Sequence, residues 1–183
     1  MRKFLASLLE VFEIALVAVA SVFLVRTFLV QPFVVSGSSM VPNFENGDYL
    51  LVDELTYRFR TPERGEVVVF RYDGNPFTYL IKRIIGLPGE RVRIKNNKIE
   101  VVPLSGEPFM LEEKYLAPGV VTGGDAEYVL SDSEYFVLGD NRSFSFDSRN
   151  WGGLPTKNVV GIARIRLWPL PQIKAFTSPQ YNQ

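Results

Sequence analysis

The sequence predicts a mostly-β, antiparallel domain with a small inserted β subdomain, preceded by one N-terminal transmembrane helix. Three observations carry that expectation. The 183-residue chain opens with a long apolar run that few charges interrupt. Beyond it, short β-branched and aromatic runs alternate with Gly, Pro and Asn turn signals. Helical periodicity is scarce after Pro32, and only 156–160 reads as a single helical turn.

The first element lies within Phe4 to Val35, where Glu10, Glu13 and Arg26 are the only charges. A membrane-spanning helix needs about 20 apolar residues at about 1.5 Å each. The uninterrupted part, Ile14 to Val25, reaches that length only with Glu13 and Arg26 at the two interfaces and Arg26 extending outward. Pro32 is expected to mark the helix exit. Polar residues do not recur every 3.6 positions from Ile14 to Val30, which argues against an amphipathic core helix. Ala18-Val19-Ala20 has the pattern of a signal-peptide cleavage site, but hydrophobicity continues well past it and Glu10 and Glu13 precede it. The expectation is therefore an uncleaved anchor. Arg2 and Lys3 bias the N-terminus to the cytoplasm. Residues 1–31 then form a cytoplasmic stub and anchor in the cell membrane, crossed once. Residues 32–183 form the extracytoplasmic domain.

Strands are expected at Tyr49–Val52, Glu66–Tyr72, Tyr79–Ile85, Arg91–Lys95, Lys98–Val102, Tyr135–Leu138 and Ile162–Trp168. Asn46-Gly47, Asp73-Gly74, Pro88-Gly89 and Asn96-Asn97 supply turns between them. Residues 96–134 are richer in Gly, Pro and acidic groups, and read as a small subdomain inserted into the sheet.

Composition narrows the chemistry. With no Cys and no His, the chain has no thiolate nucleophile, no His-ligated metal and no Ser-His-Asp triad. A hydrolase built from it needs another base, such as Lys, Asp, Glu or Tyr. Twenty basic and twenty acidic residues cancel without a basic stripe, so nucleic acid is not an expected partner.

Three segments carry chemistry. In Val35-Ser36-Gly37-Ser38-Ser39-Met40-Val41-Pro42, small residues allow close substrate approach and expose hydroxyls and N–H groups on a tight turn. The residues alone do not say which serine attacks, and such runs are more often plain loops. In the strand Tyr79–Ile85, Lys82 shares a face with Leu80 and Ile84, so its ammonium stands among aliphatic groups. Burial there would favour a neutral amine able to act as a base, whereas an edge position would let the lysine reach water. The third segment, Gly139 to Arg149, crowds Asp140, Arg142, Asp147 and Arg149 with three serines directly after an apolar strand. It is either a solvated turn or a support that orients a catalytic group.

In this order the segments resemble type I signal peptidases, serine proteases with a Ser/Lys dyad. Ser39-Met40-Val41-Pro42 is similar to the family's Ser-Met-x-Pro motif, and Lys82 to Gly89 to its Lys-Arg-x-x-Gly-x-Pro-Gly motif. Gly139-Asp140-Asn141-Arg142, with Ser145, Asp147, Ser148 and Arg149, resembles its last box, and Arg64 to Phe70 an intervening one with Glu66 where Asp is usual. The resemblance implies Ser39 as nucleophile, Lys82 as general base and Ser145 as the group orienting Lys82. It implies the Ser39 backbone N–H as oxyanion donor, because the position two residues earlier is Gly37 and carries no hydroxyl. It also implies structural pairs Asp140–Arg83 and Asp147–Arg149, and no metal and no cofactor. The implied partners are preprotein signal peptides, cut after small residues in an Ala-x-Ala pattern, and the lipid bilayer. Val35, Met40, Leu80 and Ile81 are the expected walls of the apolar pocket. Asn43-Phe44 departs from the family's Thr-Leu and leaves one wall undefined. Other readings are a conjugation-type processing protease, a self-cleaving repressor of the same chemistry, and a non-catalytic membrane-tethered domain that binds export partners. The apolar N-terminus and the lack of room for a DNA-binding domain disfavour the repressor. The intact Ser39 and Lys82 disfavour the binding domain.

Overall fold

The computed structural model describes residues 2–28, 30–179 and 181. In chain order the elements are α1 (Arg2–Phe28), β1 (Val30–Val34), β2 (Tyr49–Asp53), β3 (Val67–Tyr72) and β4 (Asn75–Gly86). Then follow β5 (Arg91–Lys95), β6 (Lys98–Val102), β7 (Phe109–Met110), β8 (Ala126–Val129) and β9 (Glu134–Leu138). The chain closes with α2 (Ser148–Trp151), β10 (Leu154–Pro155), β11 (Val159–Trp168) and β12 (Lys174–Ala175). The larger sheet runs β1-β2-β11-β3-β4-β9-β10, with β12 added to β11, and the smaller runs β7-β6-β5-β8. Pairing is antiparallel throughout, as the mostly-β expectation requires. The smaller sheet begins at Arg91, so the second unit takes in β5 and starts before the residue 96 boundary read from composition.

Alternation along β3 and β4 builds the core on both faces of the larger sheet. Val67 packs with Val35, Met40, Phe44, Leu50 and Ala163 on one face. Val68 and Phe70 pack with Ile84, Tyr135, Val137 and Leu154 on the other. A third cluster, with Ile85, Val92, Ile94, Ile99, Val101, Phe136 and Leu138, joins the small sheet to β4 and β9.

The N-terminal expectation is corrected at its exit. The helix ends at Phe28 rather than at Pro32, and Val30–Val34 is a strand paired with β2, where Pro32 lies opposite Leu51. An edge strand tolerates a proline because one side of its ladder has no partner to bond. Among the described residues, no helix is long and apolar enough to cross a membrane. The unbroken run of described side chains in α1 is 9–22, and Glu10 and Glu13 fall within it. The orientations expected of Arg2, Lys3 and Arg26 lie outside the described side chains. The side chains of Leu9, Val11, Phe12, Ile14, Leu16, Val17, Val19 and Val22 are all more than half exposed, on every side of the helix.

Candidate active site

Ser39 sits on the loop between β1 and β2, held by backbone bonds at its base: Val35 N–H donates to Asp48 O and Gly47 N–H to Val35 O, both at 2.9 Å. Gly37 takes φ +100°, a left-handed conformation open to glycine, which turns the chain toward β4. Lys82 comes from the middle of β4, opposite Val68 of β3. Its side chain is only 2 % exposed, and its Nζ donates to Ser39 Oγ at 2.7 Å and to Ile81 O at 3.0 Å. Burial pushes the amine down to about 8, with the Asp147 and Asp140 carboxylates pulling it the other way. Of the two environments open to Lys82, the buried one is found. A hydroxyl is thus joined to an amine that is neutral in an appreciable fraction near neutral pH, the pairing a nucleophile and its base require.

The loop after β9 is stapled to the serine loop. Asn141 donates from its backbone to Ser39 O and from Nδ2 to Ser38 O, each at 3.0 Å. A Cβ at Gly139 would collide with Ser39 O and Ser145 Oγ, so only glycine lets the two loops approach this closely. Asp140 receives Arg83 in a two-pronged pair, Nε to Oδ1 at 2.8 Å and Nη2 to Oδ2 at 2.7 Å. Asp147 receives Arg149 at 2.9 Å on each oxygen, accepts Gly139 N–H at 3.1 Å, and caps α2. These carboxylates therefore hold backbone and arginine rather than face the cleft. Ser145 is a correction. Among the described residues its Oγ is buried without any hydrogen bond, while Lys82 bonds Ser39 and Ile81 instead. The loop brings Ser145 over Gly139 and Ser39 O but does not turn its hydroxyl onto the amine.

A cleft of about 100 Å³ opens between 33–36 and 79–82, with Ser39 and Lys82 in its wall. Val35, Leu80 and Ile81 line it, together with Leu50 and Val69 from the sheet beneath. The Phe33 and Tyr79 rings meet across it at 5.3 Å. Met40 does not line it. It is 1 % exposed, packs with Phe44 in the core, and its Sδ accepts Asp140 N–H at 3.4 Å. Asn43 points to the same side and bonds Asp140 Oδ2 at 2.8 Å, so the departure from the family motif bears on the loop support instead of the cleft wall. On β4, pairing with β9 begins only at Arg83, so among the described residues the 79–82 edge on that side has no strand partner. Among the described residues the Ser39 N–H likewise has no acceptor, whereas Gly37 N–H is taken by Asn46 Oδ1 at 2.9 Å. Among the described residues no cluster of acidic groups could hold a metal ion.

Sequence reasoning missed Glu113, Tyr115 and Thr122. Arg142 is fully buried and pairs with Glu113 and Thr122, and the Arg83 guanidinium lies 3.9 Å from the Tyr115 ring centre. The crowding of charge in 139–149 signals that partners exist, but nothing local to 113–122 identifies them.

The sequence profile of the family described as "Signal peptidase, peptidase S26" matches residues 8–168. The chain is 39 % identical to a probable signal peptidase I-2 of Synechocystis over 84 % of its own length and 70 % of that protein's. It is 37 % identical to signal peptidase I V of Bacillus subtilis over 82 % of its length and 94 % of that protein's. A crystal structure of a signal peptidase I from Enterococcus faecalis overlays with a TM-score of 0.48 at 27 % identity, covering 56 % of this chain and 97 % of that one. With most of its length matched by that profile, the chain belongs to the signal peptidase family, peptidase S26.

Proposed function

We propose that Ser39 is the nucleophile and Lys82 the general base of a membrane-anchored endopeptidase that removes signal peptides after small residues. The carrying observation is the 2.7 Å hydrogen bond between Lys82 Nζ and Ser39 Oγ, with the lysine buried. Deprotonated Lys82 takes the Ser39 proton as Oγ attacks the scissile carbonyl, and returns it to the departing amine. The same amine then activates the water that hydrolyses the acyl-enzyme. The unoccupied Ser39 N–H supports a role as oxyanion donor. Asp140 with Arg83, and Asp147 with Arg149, hold the loops.

The open edge of β4 supports docking of an extended peptide as an added strand, its alternate side chains entering the cleft. The cleft is small, about 100 Å³, and lined largely by aliphatic groups, which supports a preference for small apolar side chains.

Membrane attachment rests on α1. Its described apolar side chains are exposed on every side of the helix, interrupted by Glu10 and Glu13, a pattern that suits hydrocarbon better than water over much of its surface. Its 27 residues extend about 40 Å at about 1.5 Å each. At the end of β1 remote from α1, Val34, Tyr49 and Trp168 lie opposite one another across β1, β2 and β11, each about half exposed. Tyr and Trp in such a row suit a bilayer interface. By the positive-inside bias the N-terminus is cytoplasmic and the β domain extracytoplasmic.

The test is cleavage of a purified preprotein in detergent by wild type, Ser38→Ala, Ser39→Ala and Lys82→Ala, read by N-terminal sequencing. Loss of cutting in the latter two, with Ser38→Ala active, is expected. Cutting by Ser39→Ala would reject the nucleophile.

A further inference from the structure

Polar contacts close a ring around the ion pair that stands beside Lys82. Arg83, the next residue on β4, is 6 % exposed and bonds both oxygens of Asp140 and Gly65 O. Asn43 Nδ2, four residues after Ser39, donates to Asp140 Oδ2 at 2.8 Å and to Tyr115 O at 2.9 Å. The Tyr115 ring covers the Arg83 guanidinium, and its hydroxyl donates to Glu113 Oε1 at 2.6 Å. Glu113 pairs with Arg142, whose Nε donates to Gly139 O at 3.0 Å, next to Asp140 again. The ring thus joins the serine loop, the lysine strand and the loop after β9. Its fourth side comes from the segment after β7, remote in sequence from all three.

From this closure we infer that Asn43 and Tyr115 are positioning residues: they fix Asp140 and Arg83, and through them the spacing of Ser39 and Lys82. The inserted segment is then part of the catalytic apparatus rather than a peripheral decoration. A cavity of about 360 Å³ is lined by Asn43, Arg83 and Tyr115, so it already reaches Arg83, and the tyrosine ring covers part of the guanidinium. Removing the ring admits more water to Arg83 and Asp140 and lets the loops separate. Lys82 is faced by Asp147 and Asp140 from the loop after β9, by apolar Val68 on β3 and by the Ser39 hydroxyl, while Arg83 beside it alternates to the other face of β4. Loosening this packing relieves the burial that disfavours the charged amine, so its protonation moves back toward the ordinary lysine range.

The inference rests on Lys82 being the base, and the experiment separates the two. The pH dependence of kcat/KM on a preprotein is measured for the full chain in detergent, as wild type, Asn43→Ala, Tyr115→Ala, Tyr115→Phe and Lys82→Met. Asn43→Ala and Tyr115→Ala are expected to lose about tenfold or more in kcat and to raise the midpoint of the acid limb by about half a pH unit or more. Tyr115→Phe keeps the ring over Arg83 and is expected to restore the wild-type midpoint. A merely structural role lowers the active fraction without moving that midpoint. An unmoved midpoint in a folded Ala variant therefore overturns the inference, and Asn43→Ala alone decides if Tyr115→Ala does not fold. Cutting by Lys82→Met would instead overturn the dyad on which it rests.

Discussion

Replacing Lys82 with methionine is expected to abolish cleavage and to make the protein more stable. Burial lowers the amine from 10.5 to about 8 in the fold, while the unfolded chain keeps the ordinary value. At about 1.36 kcal/mol per pH unit, holding the ammonium at this 2 % exposed site costs about 3 kcal/mol. The unfolded chain binds the proton more tightly, so the cost is complete below pH about 8 and disappears as pH rises through about 10.5. Methionine is unbranched, of similar reach, and carries no charge. It forfeits the bonds to Ser39 Oγ and Ile81 O, worth about 1 kcal/mol each, which leaves a net gain of about 1–2 kcal/mol. For a chain of this size that raises Tm by about 2–8 °C. Urea unfolding in detergent at neutral pH and near pH 10.5 measures it, with tryptophan fluorescence as the signal. Equal or lower stability of the variant at neutral pH, or an advantage that does not shrink at high pH, would refute the burial reasoning.

The same protonation sets the rate. Below pH about 8, kcat/KM on a preprotein is expected to fall about tenfold per pH unit, to about a hundredth of its plateau at pH 6, and a flat profile would remove Lys82 as the base. Gly139→Ala drives a methyl group into Ser39 O and Ser145 Oγ; a loss of about 100-fold or more in kcat is expected, with a melting curve run alongside to confirm folding. Leu80→Ala enlarges the cleft. Cutting after Val or Leu, followed by mass spectrometry of the products, is expected to rise about 10- to 100-fold relative to cutting after Ala.

Legibility in the sequence followed one-sided burial. β5 and β6 bury every second residue, and their bounds agree with the alternation read from Arg91–Lys95 and Lys98–Val102. β1 was hidden because its apolar residues continue those of α1, so helix and strand merge into one hydrophobic run until the backbone separates them. The two-residue strands β7, β10 and β12 are too short to show a period. In the site, Lys82 could be aimed from its strand, but Met40 could not. It lies in a turn, where no periodicity says which way a side chain points, and it went to the core. The Asp140–Arg83 and Asp147–Arg149 pairs were legible through the family motifs. Tyr115 and Glu113 reach the site through tertiary packing across sequence separations of about 30 residues, and such contacts leave no trace in local pattern.

The most direct test of the account is the protonation of Lys82 itself. Lysine labelled with 13C at the ε position reports this by NMR titration of the full chain in detergent, with Lys82→Met assigning the resonance. A Lys82 midpoint near 8, set apart from exposed lysines near 10.4, is the expected result. A midpoint at or above about 10 would contradict it, because an amine charged throughout the neutral range cannot take the proton from Ser39.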